Sequence, residues 1–267
     1  MGKSISYTPL QMVIKYARYL LIAASGKGHG IHSPFVFDFI VHVLNDKKTH
    51  PPLEIEECRK QLLKDDTVLQ ITDFGAGAIH TYKEKSVKDI AKTSLKSGKY
   101  SWLLFRIVRY YKAATILELG TSLGITTAHL ASNANVTVYT LEGDPAVANI
   151  AEKNFHSLDM KNIKLVRGNF DETLQPLLES IEQPGVVFID GNHRHGPTIR
   201  YFNQIKAVSG SNTIMILDDI HWSKEMEQAW EEIKNDPDVL QTIDLFFIGI
   251  VLFRKEFKVK QHYCIRF

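Results

Sequence analysis

The sequence is poor in several things, and each shortage excludes something. Of 267 residues only two are cysteine, Cys58 and Cys264, far apart and outside any C-x-x-C pair. A disulfide framework and the common thiolate zinc or redox motifs are therefore not expected, and a reducing, cytoplasmic setting is. An excess of one charge is missing too. The 32 basic and 30 acidic side chains leave a formal net charge of +2, too little for a field that would gather nucleic acid. The early apolar stretch, Met12 to Ala24, is broken by Lys15 and Arg18 and is too short to span a bilayer. No signal-peptide pattern, internal repeat or low-complexity segment is present. Apolar residues make up 44% and charged residues 23%. That mix suits a chain able to bury one α/β domain of ordinary size plus an extension.

The stretch that organises the rest is Ala114-Thr-Ile-Leu-Glu-Leu-Gly-Thr-Ser-Leu-Gly-Ile-Thr-Thr127. A short apolar run, β-branched at Thr115 and Ile116, predicts a buried strand over 115–119. A tight turn follows from Gly120 to Gly124, then a helix from Ile125. Gly120 lets the backbone turn sharply. Gly124 allows a ligand or the next helix to approach closely. A helix beginning there directs unpaired N–H groups and a positive dipole end above the strand. Dinucleotide-binding turns carry G-x-G-x-x-G at this place. Here the middle glycine is absent, and Glu118 stands just before the turn. An acid there opposes a pyrophosphate and favours a ligand bearing an ammonium group.

The N-terminal third is expected to be mostly helical. Gln11 to Ser25 reads as an amphipathic helix ending in Gly26-Lys-Gly-His-Gly30, which is either a C-cap and linker or an anion-contacting loop. Ser33-Pro34 opens a second helix over 35–44. Pro51-Pro52 breaks the chain before a charged helix near 54–64. Asp73-Phe-Gly-Ala-Gly77 has the letters of a kinase motif without the other kinase elements, so it reads as a loop. Lys83 to Lys99 is polar and helix-prone. Its five lysines, Lys83, Lys85, Lys88, Lys92 and Lys96, form either a solvated face or a phosphate-binding patch. Tyr100 to Tyr111 is a strongly apolar helix.

From Ala114 the pattern is strand, turn, helix, repeated. Strands are expected at 136–141, 163–166, 185–189 and 213–217, with helices at 145–158, 171–181, 197–208 and 223–234. Asp171 and Ser223 serve as caps. Segments 242–247 and 249–254 read as an antiparallel hairpin, and the alternating tail from Lys258 is expected to add an edge segment. Alternating units imply a doubly wound, mostly parallel sheet of seven strands. Ligands bind at the carboxyl ends of such strands. Those ends carry Gly120, Glu142, Asn169, Asp190 and Asp218.

Glu118-Leu-Gly-Thr-Ser-Leu-Gly124 resembles motif I of the class I S-adenosylmethionine (SAM) dependent methyltransferases. The terminal hairpin after five βα units matches their topology, so the resemblance covers about residues 100–254. It divides the chain into an extension, 1–99, acting as a lid, acceptor-selecting or dimer surface, and a methyltransferase domain, 100–267. Glu142 lies about twenty residues past Gly120, where an acid accepts both ribose hydroxyl hydrogens. The resemblance further implies that Glu118 and Gly120 hold the methionine part of SAM, with Thr126 placed to contact its carboxylate and Ser122 and Gly124 in the same cofactor-binding turn. Asn169 and Phe170 would flank the adenine, and Asp190 would sit beneath the sulfonium.

The small-molecule O-methyltransferases of the catechol and caffeoyl-CoA type are the most similar subfamily. Their pattern implies Asp190, Asp218 and Asp219 as ligands of a divalent metal such as Mg²⁺. The same aspartates can also serve by hydrogen bonding alone. Where that subfamily has a lysine after the fourth-strand Asp, this chain has Gly191-Asn-His-Arg-His195. His193 replaces it as general base, with His195 and His221 as weaker candidates and Arg194 as a contact for an acidic acceptor. The expected activity is methyl transfer to a small molecule at oxygen. RNA or protein methylation is the alternative, but the Asn/Asp-Pro-Pro-Tyr signature is absent. A hydride-transferring NAD enzyme and a non-catalytic SAM-binding protein are the remaining rivals.

Overall fold

The computed structural model describes residues 6–73 and 81–267. The Gly75 and Gly77 loop falls outside them. In chain order the elements are α1 (Pro9–Ile22), α2 (Pro34–Phe39, continued by one wide π turn, Ile40–Leu44), α3 (Leu53–Leu62), β1 (Val68–Asp73) and β2 (Thr81–Ser86). Next come α4 (Val87–Ser94), α5 (Gly98–Tyr111), β3 (Thr115–Leu119), α6 (Ile125–Ala131), β4 (Thr137–Glu142), α7 (Pro145–Ser157) and β5 (Ile163–Arg167). The chain ends with α8 (Phe170–Ser180), β6 (Val186–Ile189), α9 (His195–Val208), β7 (Ile214–Asp218), α10 (Lys224–Asn235), β8 (Gln241–Asp244), β9 (Ile248–Leu252) and β10 (Gln261–Cys264).

Eight of these strands form one mostly parallel sheet in the order β10-β8-β9-β7-β6-β3-β4-β5. The expected seven strands are joined by β10, which the tail adds in parallel to β8. The β8–β9 hairpin is antiparallel, as its spacing predicts. Tertiary contacts divide the chain into two compact units. One is Lys47–Ser180, and the other joins Ile181–Phe267 to Gly2–Asp46.

In the first unit β3, β4 and β5 run parallel. All five residues of β3 are buried, which explains its unbroken apolar character. The helix expected within 83–99 is present at 87–94, as α4, but does not extend over 83–86. Residues 81–86 instead pair antiparallel with β1, Leu69 opposite Lys85 and Ile71 opposite Lys83. Leu69 and Ile71 pack on a core of Ile55, Leu62, Val87, Ile90 and Val147. Burial of the β1 face and cross-strand pairing outweigh the helix preference of lysine and glutamate. At α8 the cap is Asn169, not Asp171. Its Oδ1 accepts the Asp171 N–H at 3.1 Å, and Asp171 sits in the first turn, where an acid suits the dipole.

In the second unit α1 begins two residues before its expected start. Thr8 and Gln11 form a reciprocal capping box with Pro9 at the first position. Tyr16 and Tyr19 of α1 pack on Phe246. The Gly26–Gly30 loop is a packed turn. A Cβ on Gly28, at φ +83°, would stand 2.9 Å from the Phe37 ring. Ser223 caps α10 by accepting the Met226 N–H, as expected. No described helix is long and apolar enough to cross a membrane.

Candidate active site

Each unit presents one cluster of the expected residues. In the first, β3 runs into the turn and β4 lies beside it. The carbonyl of Leu141 accepts the N–H groups of both Gly120 and Thr121, at 3.0 and 3.1 Å. Gly120, Ser122 and Gly124 all have positive φ, +100°, +50° and +83°, so the turn coils tightly at the carboxyl end of β3. Glu142 braces the turn further. One oxygen of that carboxylate accepts the Ser122 N–H at 2.8 Å and the other the Asp144 N–H at 2.9 Å. Burial raises the Glu142 pKa, with the amide bonds from Asp144 and Ser122 opposing it.

Glu118 is fully buried beneath the turn. Its Oε2 accepts hydrogen bonds from the hydroxyls of Thr127 and Thr140, and Thr140 shares a 2.6 Å bond with Thr121. The acid thus fastens β3, β4 and α6 together from below. Gly124 serves helix packing. A Cβ there would lie 2.5 Å from the ring of Phe155 on α7. Thr126 is 8% exposed on the first turn of α6. Asn169 is exposed and Phe170 half-buried at the end of β5. Sequence reasoning missed Ser94, whose hydroxyl lies 2.7 Å from that of Ser122, and the two threonines that hold Glu118. The alternation of β4 placed Thr140 inward, and that was the one available signal.

In the second unit β6 ends at Ile189 and β7 at Asp218. Asp190, His193 and Asp218 each bring one ligand-capable atom into a group whose members all lie within 4.8 Å of one another. His193 Nε2 is 3.5 Å from Asp190 Oδ1. Asp218 is 1% exposed. Asp219, expected in this group, is not among its members. Its backbone is left-handed, φ +54°, and its N–H donates to the carbonyl of Phe247 at 2.7 Å, so the chain turns away directly after Asp218.

The other histidine candidates are engaged elsewhere. His195 Nε2 lies 2.8 Å from Glu232, and Arg194 Nε donates to Asn192 at 3.3 Å. His221 lies between Glu227 and Asp244, 3.1 and 2.8 Å away. Burial disfavours its charge, but bonds with those two acids outweigh it and raise its pKa to about 9.

A family profile described as a methyltransferase domain matches residues 117–220. A curated relative, uncharacterized protein R132 of Acanthamoeba polyphaga mimivirus, is 28% identical over 92 residues. That covers 33% of this chain and 41% of the relative, so the chain spans well under half of it. Among solved structures, the chain is similar to the SAH-bound methyltransferase PaMTH1 of Podospora anserina, with TM-score 0.61, 13% identity and coverage of 96% of this chain and all of that one. It is also similar to an O-methyltransferase from Bacillus cereus in complex with SAH, with TM-score 0.55, 20% identity and coverage of 78% and 94%. A third is the O-methyltransferase TomG from Streptomyces achromogenes in complex with SAM, with TM-score 0.51, 19% identity and coverage of 60% and 82%. At these identities the likenesses establish the fold. The chain therefore has the fold that these methyltransferases share, and its residues 117–220 match the methyltransferase-domain profile.

Proposed function

We propose that this protein transfers the methyl group of SAM to a hydroxyl oxygen of a small-molecule acceptor. The observation that carries the reading is the bond between the Ser122 N–H and Glu142. It joins a glycine turn to an acid at the next strand end, the pairing that a nucleoside with a charged tail requires. In this reading Glu142 receives the ribose hydroxyls, because a carboxylate has about four acceptor sites and the amides leave capacity over. Gly120, Ser122, Gly124 and Thr126 shape the wall around the methionine part, and Glu118 keeps that wall rigid from below. Asn169 and Phe170 border the adenine.

The reaction is an in-line displacement. The acceptor oxygen forms a bond to the methyl carbon as the carbon–sulfur bond breaks, leaving SAH, and the hydroxyl proton must go to a base. The chain's task is alignment and exclusion of water. His193 or the aspartates beside it would take that proton. A divalent cation would lower the pKa of an acceptor hydroxyl when bound. Asp190 and Asp218 suit one, but the third oxygen ligand of the Mg²⁺ set, Asp219, does not join them. The O-methyltransferase neighbours support oxygen as the accepting atom. Acceptor choice falls to the N-terminal extension in this reading.

Isothermal titration with SAM and SAH tests the reading directly. A one-to-one complex that Glu142→Ala weakens at least tenfold is expected. A chain that binds neither compound refutes it.

A further inference from the structure

We propose that the outward face of α1 pairs with the same face of a second copy of this chain, as an antiparallel helix pair about a two-fold axis. The pairing is independent of the methyl-transfer reading.

The helix carries two apolar faces. The inner one, Met12, Tyr16, Tyr19 and the adjoining Ala23, packs against Phe246. On the opposite side Leu10, Val13, Ile14, Ala17, Leu20 and Leu21 fall within an arc of about 120° at about 3.6 residues per turn. All six are exposed, Leu10 at 70% and Leu21 at 82%. A solvated helix face is polar, and a helix with apolar residues on both sides belongs in an interior. Single exposed apolar side chains need no explanation, but a continuous stripe about three turns long does.

Area and spacing select the occupant. The six side chains offer on the order of 600 Å² of apolar surface per copy, at the top of what a monomer ordinarily leaves open. Joined face to face, two such stripes bury about 1,200 Å², within the size range of specific interfaces. Gln11 and Arg18 border the stripe as a polar rim. Leu10, Ile14, Ala17 and Leu21 are separated by 4, 3 and 4 residues, the spacing of a helix-pair seam. Turned end for end about the two-fold axis, Leu10 meets Leu21 of the partner subunit. Ile14 meets Ala17 of the partner subunit, large against small. Antiparallel packing also sets opposite dipole ends side by side. The stripe holds no charge, and α1 has no acidic residue, so nothing in the stripe repels its own copy.

A membrane surface is the poorer match. Helices that lie on one are rich in Lys and Arg on their polar face. Here only Lys15 and Arg18 are present, and Lys15 is already bonded to Glu227 at 2.8 Å.

Sedimentation of the full chain from about 1 to 100 µM tests the pairing, and a dimer with a dissociation constant on the order of 10 µM or below is expected. Ile14→Glu places an acid four residues before Arg18, and Leu21→Lys places a base in the last turn, so both suit the helix itself. Each should raise the dissociation constant at least tenfold while circular dichroism stays native. Ile14→Gln replaces either one that loses the native spectrum. In a Cys264→Ser background, Leu10→Cys and Leu21→Cys chains should crosslink with each other on oxidation, and neither with itself. SAH binding on the same samples bears only on the methyl-transfer reading. A chain that stays monomeric at the highest concentration, a dimer equally tight in both charged variants, or crosslinking of either cysteine variant with itself would each overturn the pairing. So would a monomer that sediments with vesicles of mixed neutral and anionic phospholipid and loses them on Ile14→Glu, since the face would then serve a membrane.

Discussion

Glu142 holds the backbone N–H of Ser122 at 2.8 Å, across twenty residues of sequence. A strand-end acid thereby fixes a left-handed turn on the neighbouring strand. In the proposed reading, the acceptor of the ribose and the cradle of the ligand are thus held together. Glu142→Gln keeps the shape of the side chain but removes its charge and one acceptor oxygen. SAM affinity should fall about tenfold, equivalent to roughly 1.4 kcal/mol, with a smaller change in thermal stability. Calorimetry and a melting curve on the same preparation separate the two effects.

Gly124 faces Phe155 with no room for a methyl group. Gly124→Ala adds left-handed strain to a clash with the ring, and should lower stability by about 2–4 kcal/mol. Phe155→Ala in the same chain should recover part of that loss. Urea denaturation of the two single variants and the double variant measures the coupling. Strict additivity would show that the glycine is needed for something other than this helix contact.

Glu56 supports a fully buried histidine. Its Oε1 lies 3.3 Å from His129 Nε2 and accepts the Trp102 indole N–H at 3.2 Å. The bond from His129, with that from Trp102, holds Glu56 down at about 2 against burial. Its folded pKa is thus below its ordinary value near 4.5. The stabilisation is complete above pH 4.5 and fades as pH falls toward 2. Glu56→Ala should cost on the order of 1–2 kcal/mol at neutral pH, allowing for the partial exposure of Glu56, because the Trp102 indole N–H loses its acceptor and His129 its neighbour. Glu56→Ala should also flatten the acid limb of the stability curve, read from urea midpoints between pH 3 and 7.

Within the second unit, an ionic hub fastens α1 to α10. Lys15 and the Tyr7 hydroxyl both bond Glu227 of α10, which also meets His221. Asp244 faces His221 from its other side. Burial opposes charge on Glu227, yet His221, Lys15 and Tyr7 hold its pKa at about 2. For His221, raised to about 9, the contribution is complete below its ordinary value near 6.5. It is lost as pH rises to 9. For Glu227 it is complete above about 4.5 and lost toward pH 2. Stability should therefore be greatest between about pH 4.5 and 6.5. His221→Gln should cost on the order of 1–2 kcal/mol at pH 6, allowing for partial exposure, and nearly nothing at pH 10. Melting temperatures across that range check the slope. A constant difference at every pH would mean that the histidine acts by packing on Phe246 and not by charge.

Much of this protein follows from local pattern. The β3 strand, the glycine turn, the strand-end polar residues and the β8–β9 hairpin are all recoverable from short runs. In each, one physical requirement dominates: burial of a continuous apolar segment, a positive φ, or a cap. The Ser-x-x-Met cap of α10 and the Asp-Pro start of α7 are of the same kind, since side chain and backbone partner lie within three residues.

What the tertiary structure alone decided depends on partners distant in sequence. The pairing of β2 with β1 prevails over helical propensity at residues 83–86 because Leu69 and Ile71 find a buried face supplied by α3, α4 and α7. Glu118 reads as a ligand-facing acid in sequence, but two threonine hydroxyls, nine and twenty-two residues away, draw it into the interior. Asp190, His193 and Asp218 come together without Asp219, whose backbone is left-handed. Local preference is worth tenths of a kcal/mol per residue. Burying a charge or an apolar face is worth several, and that difference decides which elements a sequence reveals without its fold.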